Sequence, residues 1–326
     1  MKAITWFVVA LVVLQHGGTV CGQLNNYFYS YTCPYLERIV SSVVRSAVMN
    51  ETRMAASLLR LHFHDCFING CDASVLLDDT DSFEGEKTAG PNLNSARGFE
   101  VIDTIKAAVE SSCNATVSCA DILSLAARDS VYMTGGPYWQ VNLGRRDGTT
   151  ANKSAVNANI PSPFDSLDTI IKKFQSIGLS VQDMVVLSGA HTIGSAHCNT
   201  FSSRLFNFNS TSSPDPTIEQ SMLGNLQSLC PDGSSDPNTL APLDSVTKDT
   251  FDNYYFKNLQ NSKGVLQSDQ ALFSTPNAST ALYVNYYSNF PNAFFMDFRV
   301  SMMKLANLNV LTGYNGEIRK NCRFRN

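Results

Sequence analysis

Tryptophan, histidine and clustered positive charge are all scarce in this 326-residue chain. It carries two tryptophans and five histidines, and no cationic run is longer than a pair such as Arg145-Arg146. With a formal charge of −4 it lacks the basic footprint that neutralises phosphates, so no nucleic-acid partner is expected. No Cys-x-x-Cys pair occurs, which weakens a structural zinc or iron–sulfur site. Beyond the N-terminus no apolar stretch is long enough to span a bilayer, so no membrane partner is expected either. Internal repeats and low-complexity linkers are missing, and strand-like alternation is rare.

What is present begins with a leader. Lys2 supplies a positive start, Ile4 to Leu14 a short apolar run, and Val20-Cys21-Gly22 small residues at the −3 and −1 positions of a cleavage site. Residues 1–22 read as a secretory signal and 23–326 as one folded domain. Loss of Lys2 takes the net charge to −5, and loss of Cys21 leaves Cys33, Cys66, Cys71, Cys113, Cys119, Cys198, Cys230 and Cys322. An even number of cysteines in an exported chain reads as four disulfides, although spacing alone leaves about 105 pairings open. Sequons at Asn50, Asn114, Asn152, Asn209 and Asn277 predict exposed, glycosylated loops or helix ends. The Ser/Asp/Pro-rich stretches Asn209–Pro216 and Pro231–Asn238 read as surface loops.

The dominant periodicity is helical. Ile39, Val40, Val43, Val44, Ala47 and Val48 share one face, as do Val101, Ile102, Ile105, Ala108 and Val109. Ile122, Leu123 and Ala126 form another, and so do Leu167, Ile170, Ile171 and Phe174, with Gly178 as a C-terminal stop. Ser180 with Asp183 predicts an N-terminal cap for the helix through Met184, Val185 and Leu187. The fold class is mainly α, with two helical lobes.

The chemistry concentrates in Arg60-Leu61-His62-Phe63-His64-Asp65-Cys66. On a helix over Met54 to Phe67, Arg60, Phe63 and His64 fall at i, i+3 and i+4, on one face. Such a face can act as an acid–base site, because the fixed guanidinium keeps the imidazole neutral and able to accept a proton. The same residues could equally be buried and satisfied by backbone carbonyls. Zinc held by His62 and His64 is a weaker alternative, since neighbours two apart on a helix diverge. Next, Asp65, Ile68, Gly70, Asp72 and Ser74 place hard oxygen donors in a tight loop that suits calcium, or simply a solvated turn, and Cys66 and Cys71 bracket it. A second oxygen-rich group comprises Thr192, Asp244, Thr247, Thr250 and Asp252.

Two long segments carry a resemblance. Ala55 to Phe67 resembles the distal haem motif of plant secretory (class III) haem peroxidases, and Met184-Val185-Val186-Leu187-Ser188-Gly189-Ala190-His191-Thr192-Ile193-Gly194 resembles their proximal motif. The start Gln23-Leu24 and the segment Asn321-Cys322-Arg323 fit as well, so the similarity runs from Gln23 to the end. It implies the haem peroxidase fold, with two helical lobes around one haem b, and two bound Ca²⁺ ions. His191 would be the iron ligand and Asp269 the acceptor for its other ring nitrogen. His64 would be the distal base, Arg60 its electrostatic partner, Phe63 the ring that limits access, and Asn92 the group that fixes the tautomer of His64. Glu86 would join the distal calcium group. Pro161, in Ile160-Pro161-Ser162-Pro163, would lie beside the exposed haem edge. The implied disulfides are Cys33–Cys113, Cys66–Cys71, Cys119–Cys322 and Cys198–Cys230.

The implied activity is oxidation of phenolic donors by hydrogen peroxide at ferric haem through a high-valent iron intermediate, by a monomer. Roles in wall phenolic or lignin oxidation and in peroxide removal follow. The extracellular space, apoplast or cell wall, is expected rather than the vacuole, because only four residues follow Cys322. A non-catalytic wall-binding glycoprotein on the same scaffold would share the export, sequons and disulfides, but it would be expected to have lost at least one of Arg60, His64, Asn92, His191 and Asp269. Two departures from the family pattern, Lys248 after Thr247 and Leu243 in place of an aromatic residue, bear on the tuning of the proximal side and remove no ligand.

Overall fold

A computed structural model of the protein describes residues 24–233 and 239–326. The signal reading of residues 1–22 and the start at Gln23 lie outside the described residues, as does part of the loop Pro231–Asn238. The described chain is helical: α1 (Leu36–Asn50), α2 (Met54–Cys66), α3 (Phe99–Ser112), α4 (Cys119–Met133), α5 (Lys153–Asn159), α6 (Leu167–Ser176), α7 (Val181–Ser188), α8 (Ser202–Phe206), α9 (Gln220–Leu229), α10 (Tyr254–Gln260), α11 (Gln267–Ser274), α12 (Thr280–Asn289) and α13 (Pro291–Leu305). Two three-residue strands, β1 (Ser195–His197) and β2 (Leu240–Pro242), pair antiparallel with Ala196 opposite Ala241.

The N-terminal lobe is built from α1 to α4. Val40, Val44 and Val48 are the buried stripe of α1, with Ile39, Val43 and Ala47 half-buried at its margins. This is the predicted face, and it packs against the neighbouring α4. α4 is buried from Cys119 to Val131, where α1, α2 and α3 all pack on it. Ser118 caps α4 by accepting from Asp121 N. The predicted α2 ends one residue early, at Cys66, and Phe67 forms its C-cap.

The second lobe gathers α6, α7, α10, α11, α12 and α13. Ser180 and Asp183 form the reciprocal capping box that starts α7, as their spacing predicts. Gly178 follows α6 at φ 86, the left-handed conformation that glycine adopts without Cβ strain. α7 passes directly into a tight turn over Gly189–Thr192.

One core runs continuously through both lobes, from Tyr29 and Val44 to Phe294 and Phe298. A smaller one lies under β1, β2, α8 and α9. All four disulfides are formed, with the pairing the resemblance implies. Cys119–Cys322 ties the start of α4 to the C-terminal tail across 203 residues of sequence. The five sequon asparagines are all exposed. Among the described residues no helix is long and apolar enough to cross a membrane.

Candidate active site

α2 is enclosed on most sides, yet Ala56, Ser57, Arg60 and Phe63 are only half-buried. These positions recur at helical spacing, so one narrow stripe of an otherwise sealed helix looks into a cleft. His64 borders that stripe and is itself 5 % exposed. Its Nδ1 lies 2.5 Å from Asn92 Oδ1. The Asn92 amide donates through Nδ2 to the Glu86 carbonyl at 2.9 Å, which turns Oδ1 toward the imidazole. Nδ1 of His64 therefore carries the proton, and Nε2 keeps a free lone pair. Burial, reinforced by the Arg60 charge, holds the imidazole well below its usual pKa, and the Asn92 contact opposes this only in part.

Arg60 donates through Nη2 to the Pro91 carbonyl at 2.7 Å and to Ser95 Oγ at 3.1 Å. Both partners sit beside Asn92, so one turn-rich segment orients the cation and the base together. Burial and the nearby Arg53 charge lower Arg60 to about 10, and it remains a cation at neutral pH. Phe63 packs on Phe67 and Phe174, with ring centroids 4.9 and 6.0 Å away, and has little freedom to swing.

His62 points the other way. It lies against the Cys66 sulfur, and burial followed by the Arg145 charge depresses its pKa to about 3. The nearest approach to a metal cluster around it is His62, Cys66 and Cys71, whose sulfurs are locked in a disulfide. The zinc reading of His62 with His64 therefore fails, for the geometric reason that their rings diverge.

On the opposite side, the turn after α7 presents His191. Its Nδ1 lies 2.9 Å from Asp269 Oδ1, at the first turn of α11. Burial opposes the charged ring, but the Asp269 carboxylate outweighs it and the net shift is upward. The imidazole side chain is nevertheless 41 % exposed. A ring that is surrounded by protein and still open to solvent lines an internal cleft. Arg60 is close enough for its charge to oppose that of His191, so the two lobes face the same cleft. Gly194 meets the Ala56 stripe directly: a Cβ there would sit 2.9 Å from the Ala56 methyl.

Tyr255, on α10, donates its hydroxyl to Asp269 Oδ1 at 3.0 Å. Sequence reading did not find it, since no local spacing links Tyr255 to Asp269. Arg204 was also missed. It is buried against Asp215 and donates to the Gly264 and Val265 carbonyls, steering the chain into α11.

The loop behind His64 is a trap for negative charge. Asp65 and Glu86 are fully buried and Asp72 nearly so. Burial raises all three, each is raised further by a neighbouring carboxylate or only partly relieved by hydrogen bonds, and Glu86 reaches about 7. Ser74 Oγ and Glu86 Oε2 are buried without a hydrogen-bond partner. Gly70, at φ 96, allows the loop to pass within reach of the Leu308 carbonyl, where a Cβ would clash. Ile68 and Gly70 would contribute backbone oxygens. Buried carboxylates, an orphaned hydroxyl and a tight loop are chemically suited to hold a hard cation such as calcium.

The second oxygen-rich group is assembled by β1 and β2. Leu243 N donates to the Gly194 carbonyl, which ties the segment before Asp244 to the segment after Thr192. Thr192 Oγ1 donates to Asp252 Oδ1 at 3.1 Å, and Thr247 Oγ1 to Asp244 Oδ2 at 3.2 Å. Thr250 is exposed, and its backbone N–H donates to the Thr247 carbonyl. Pro161 is half-buried in the loop before α6, and that loop is joined to α11 by Ser268 N donating to the Pro163 carbonyl.

A neutral imidazole base and a guanidinium therefore face a carboxylate-backed imidazole across one cleft. Residues 40–289 match the protein family described as Peroxidase. The chain belongs to the peroxidase family. It is 56 % identical over 309 residues to Peroxidase N of Armoracia rusticana, covering 94 % of this chain and 92 % of that one. It is 55 % identical over 317 residues to Peroxidase 4 of Vitis vinifera, covering 97 % and 96 %. Peroxidase 15 of Ipomoea batatas is 52 % identical over 319 residues, covering 98 % and 97 %. The peroxidase is thus a member of the plant secretory (class III) haem group and an oxidoreductase that uses hydrogen peroxide. Arg60, His64, Asn92, His191 and Asp269, of which a degenerate scaffold would be expected to have lost at least one, are all present.

Proposed function

We propose that one haem b sits in the cleft between α2 and the Gly189–Thr192 turn, and that peroxide oxidises phenolic donors there. The observation that carries this is the pairing of two differently prepared imidazoles. His64 has its Nδ1 committed to Asn92, and His191 has its Nδ1 committed to Asp269. Each offers only Nε2 to the cleft, one as a proton acceptor and one as an iron ligand. Bound haem supplies the redox chemistry, accepting oxidation from peroxide and returning it in single-electron steps.

His64 Nε2 takes the proton from the inner oxygen of peroxide and delivers it to the outer oxygen, which leaves as water. Arg60, held by Pro91 and Ser95, stabilises the charge that separates as the O–O bond breaks. Asn92 keeps His64 in the tautomer that can begin this transfer. Asp269 makes the His191 imidazole a stronger electron donor, and Tyr255 holds the carboxylate in place. Phe63 restricts larger molecules to the cleft mouth, where Pro161 forms part of the ledge for a phenolic ring.

Asp65, Ile68, Gly70, Asp72 and Ser74, with Glu86, hold one calcium ion behind the distal base, and Thr192, Asp244, Thr247, Thr250 and Asp252 hold a second behind the proximal histidine. Four disulfides and five exposed sequons suit a monomer working in the oxidising apoplast or cell wall. The test is the visible absorption spectrum of the purified protein. A Soret band that shifts on addition of peroxide is expected, and a spectrum unchanged by peroxide rules the reading out.

A further inference from the structure

Aromatic rings form an unbroken line from the proximal histidine to the protein surface. His191 and Tyr255 are 6.3 Å apart between ring centroids, Tyr255 and Phe256 5.1 Å, and Phe256 and Tyr287 5.3 Å. Tyr287 then meets Tyr286 at 5.4 Å and stacks on Tyr283 at 6.4 Å. Tyr255, Phe256 and Tyr287 are buried, whereas Tyr286 is 48 % exposed. The line ends in an open groove of about 420 Å³ formed by Val181, Gln182, Leu282 and the three tyrosines of α12.

The two buried tyrosines share a second feature. A phenol that loses an electron becomes strongly acidic and must also release its proton. Tyr255 donates its hydroxyl to Asp269 at 3.0 Å, and Tyr287 donates to Asp297 at 2.7 Å. Gln182 donates to both Tyr287 Oη and Asp297 Oδ2, which fixes the second pair. Each buried phenol thus has a proton acceptor one hydrogen bond away, from which the proton can return. Phe256 bridges the two without needing to be oxidised itself.

We propose that Tyr286 is a second oxidation site, at which phenolic groups of macromolecules too large for the haem cleft are oxidised through this line of rings. This rests on the peroxidase reading, because peroxide supplies the oxidising equivalents. One electron leaves Tyr286 for the peroxide-oxidised centre, and the Tyr286 phenolic proton goes to solvent. A donor phenol then returns one electron and one proton to the Tyr286 phenoxyl, restoring its O–H bond and becoming a phenoxyl radical. Two such events take up both oxidising equivalents of one peroxide, which ends as two waters.

The experiment uses the haem-loaded, full-length protein. Peroxide is added without donor, in the presence of a nitroso spin trap, and the adduct is located by peptide mass spectrometry. An adduct on Tyr286 is expected, disappearing in Tyr286→Phe. In parallel, oxidation of phenol grafted onto dextran is compared with oxidation of a small free phenol. In Tyr283→Phe/Tyr286→Phe, oxidation of the grafted phenol is expected to fall to background while the small phenol is still oxidised. An adduct map that omits Tyr286 overturns the proposal, and so does undiminished oxidation of the grafted phenol in the double variant. If the wild type fails to oxidise even the small phenol, the peroxidase reading itself is lost, and this proposal with it.

Discussion

Asn92 and His64, 28 residues apart in sequence, are joined by a contact of 2.5 Å that sets which nitrogen of the histidine can accept a proton. The Asn92 amide is itself pinned to the Glu86 carbonyl, so the tautomer of the base is decided through the loop backbone six residues before Asn92. The same loop contributes Glu86 to the distal acidic group. The imidazole and the proposed calcium site on this side are therefore linked through a few bonds.

Replacing the base should cost more than replacing its orienter. His64→Leu is expected to slow peroxide activation by about 10²–10⁴-fold, the usual worth of a positioned acid–base group. Asn92→Val keeps the imidazole but frees its tautomer, and a loss of about 10–100-fold is expected, in line with outer-shell partners of metal sites. Stopped-flow measurement of the peroxide-induced Soret change ranks the two. Equal rates in wild type and His64→Leu are incompatible with the assignment.

The Arg60 charge should be visible in the pH profile. Burial and Arg60 together keep His64 neutral well into the acid range. In Arg60→Leu one of these two causes is gone, so the His64 pKa rises. The base is then protonated at a higher pH, and the acid limb of peroxide activation moves up. Activation rates across the acid range in both proteins provide the check, and an unmoved limb excludes electrostatic coupling between the two residues.

Calcium should invert the pH dependence of stability. Without a cation, Glu86 is raised from 4.5 to about 7, and Asp65 and Asp72 move the same way. A carboxyl raised in the folded state stabilises it fully only below the unfolded pKa, and that contribution is lost as pH rises through the folded value. The chelated protein should thus have a lower Tm at about pH 7.5 than at about pH 5. Calcium-loaded protein, whose carboxylates are paired with the ion, should not show this fall. Scanning calorimetry at both pH values, with calcium or with chelator, distinguishes the cases.

Arg319 should matter more than a surface arginine near a chain end. It is fully buried, and its guanidinium donates to the Ala73, Cys322, Asp72 and Gly148 carbonyls. Its backbone N–H donates to the buried Asp147 carboxylate, which its charge also favours. Arg319→Met leaves these acceptors unpaired, at a cost of about 3–5 kcal/mol, as for one partner removed from a buried pair. Because Asp72 and Ala73 lie in the loop proposed to hold the distal calcium, calcium affinity should fall as well. Denaturant unfolding with calcium titration measures both, and a change within about 0.5 kcal/mol, typical of surface sites, would refute a structural role.

Features governed by near neighbours were readable in the sequence. The helical stripes, the Ser180–Asp183 cap, the Gly178 stop and the divergence of His62 from His64 all follow from a period of 3.6 residues and from local hydrogen bonding. The chemical types of the site were readable as well, because a guanidinium and an imidazole one turn apart already suggest acid–base work. Spacing could not say whether Arg60 and His64 were catalytic or merely buried, and it could not choose a disulfide pairing. The resemblance implied both answers: the fold forms the implied disulfides, and the catalytic role of Arg60 and His64 belongs to the proposal.

Tertiary structure alone brings His191 to Asp269 across 78 residues and Cys119 to Cys322 across 203. It also adds partners with no sequence signature at all: Tyr255 on Asp269, Arg204 behind α11, and Arg319 under the distal loop. The physical reason is that such contacts depend on how helices pack, and packing is a property of the whole core. The same holds for the acidic loop: in sequence it could be a calcium loop or a solvated turn, and only the fold shows that Asp65, Asp72 and Glu86 are taken out of water.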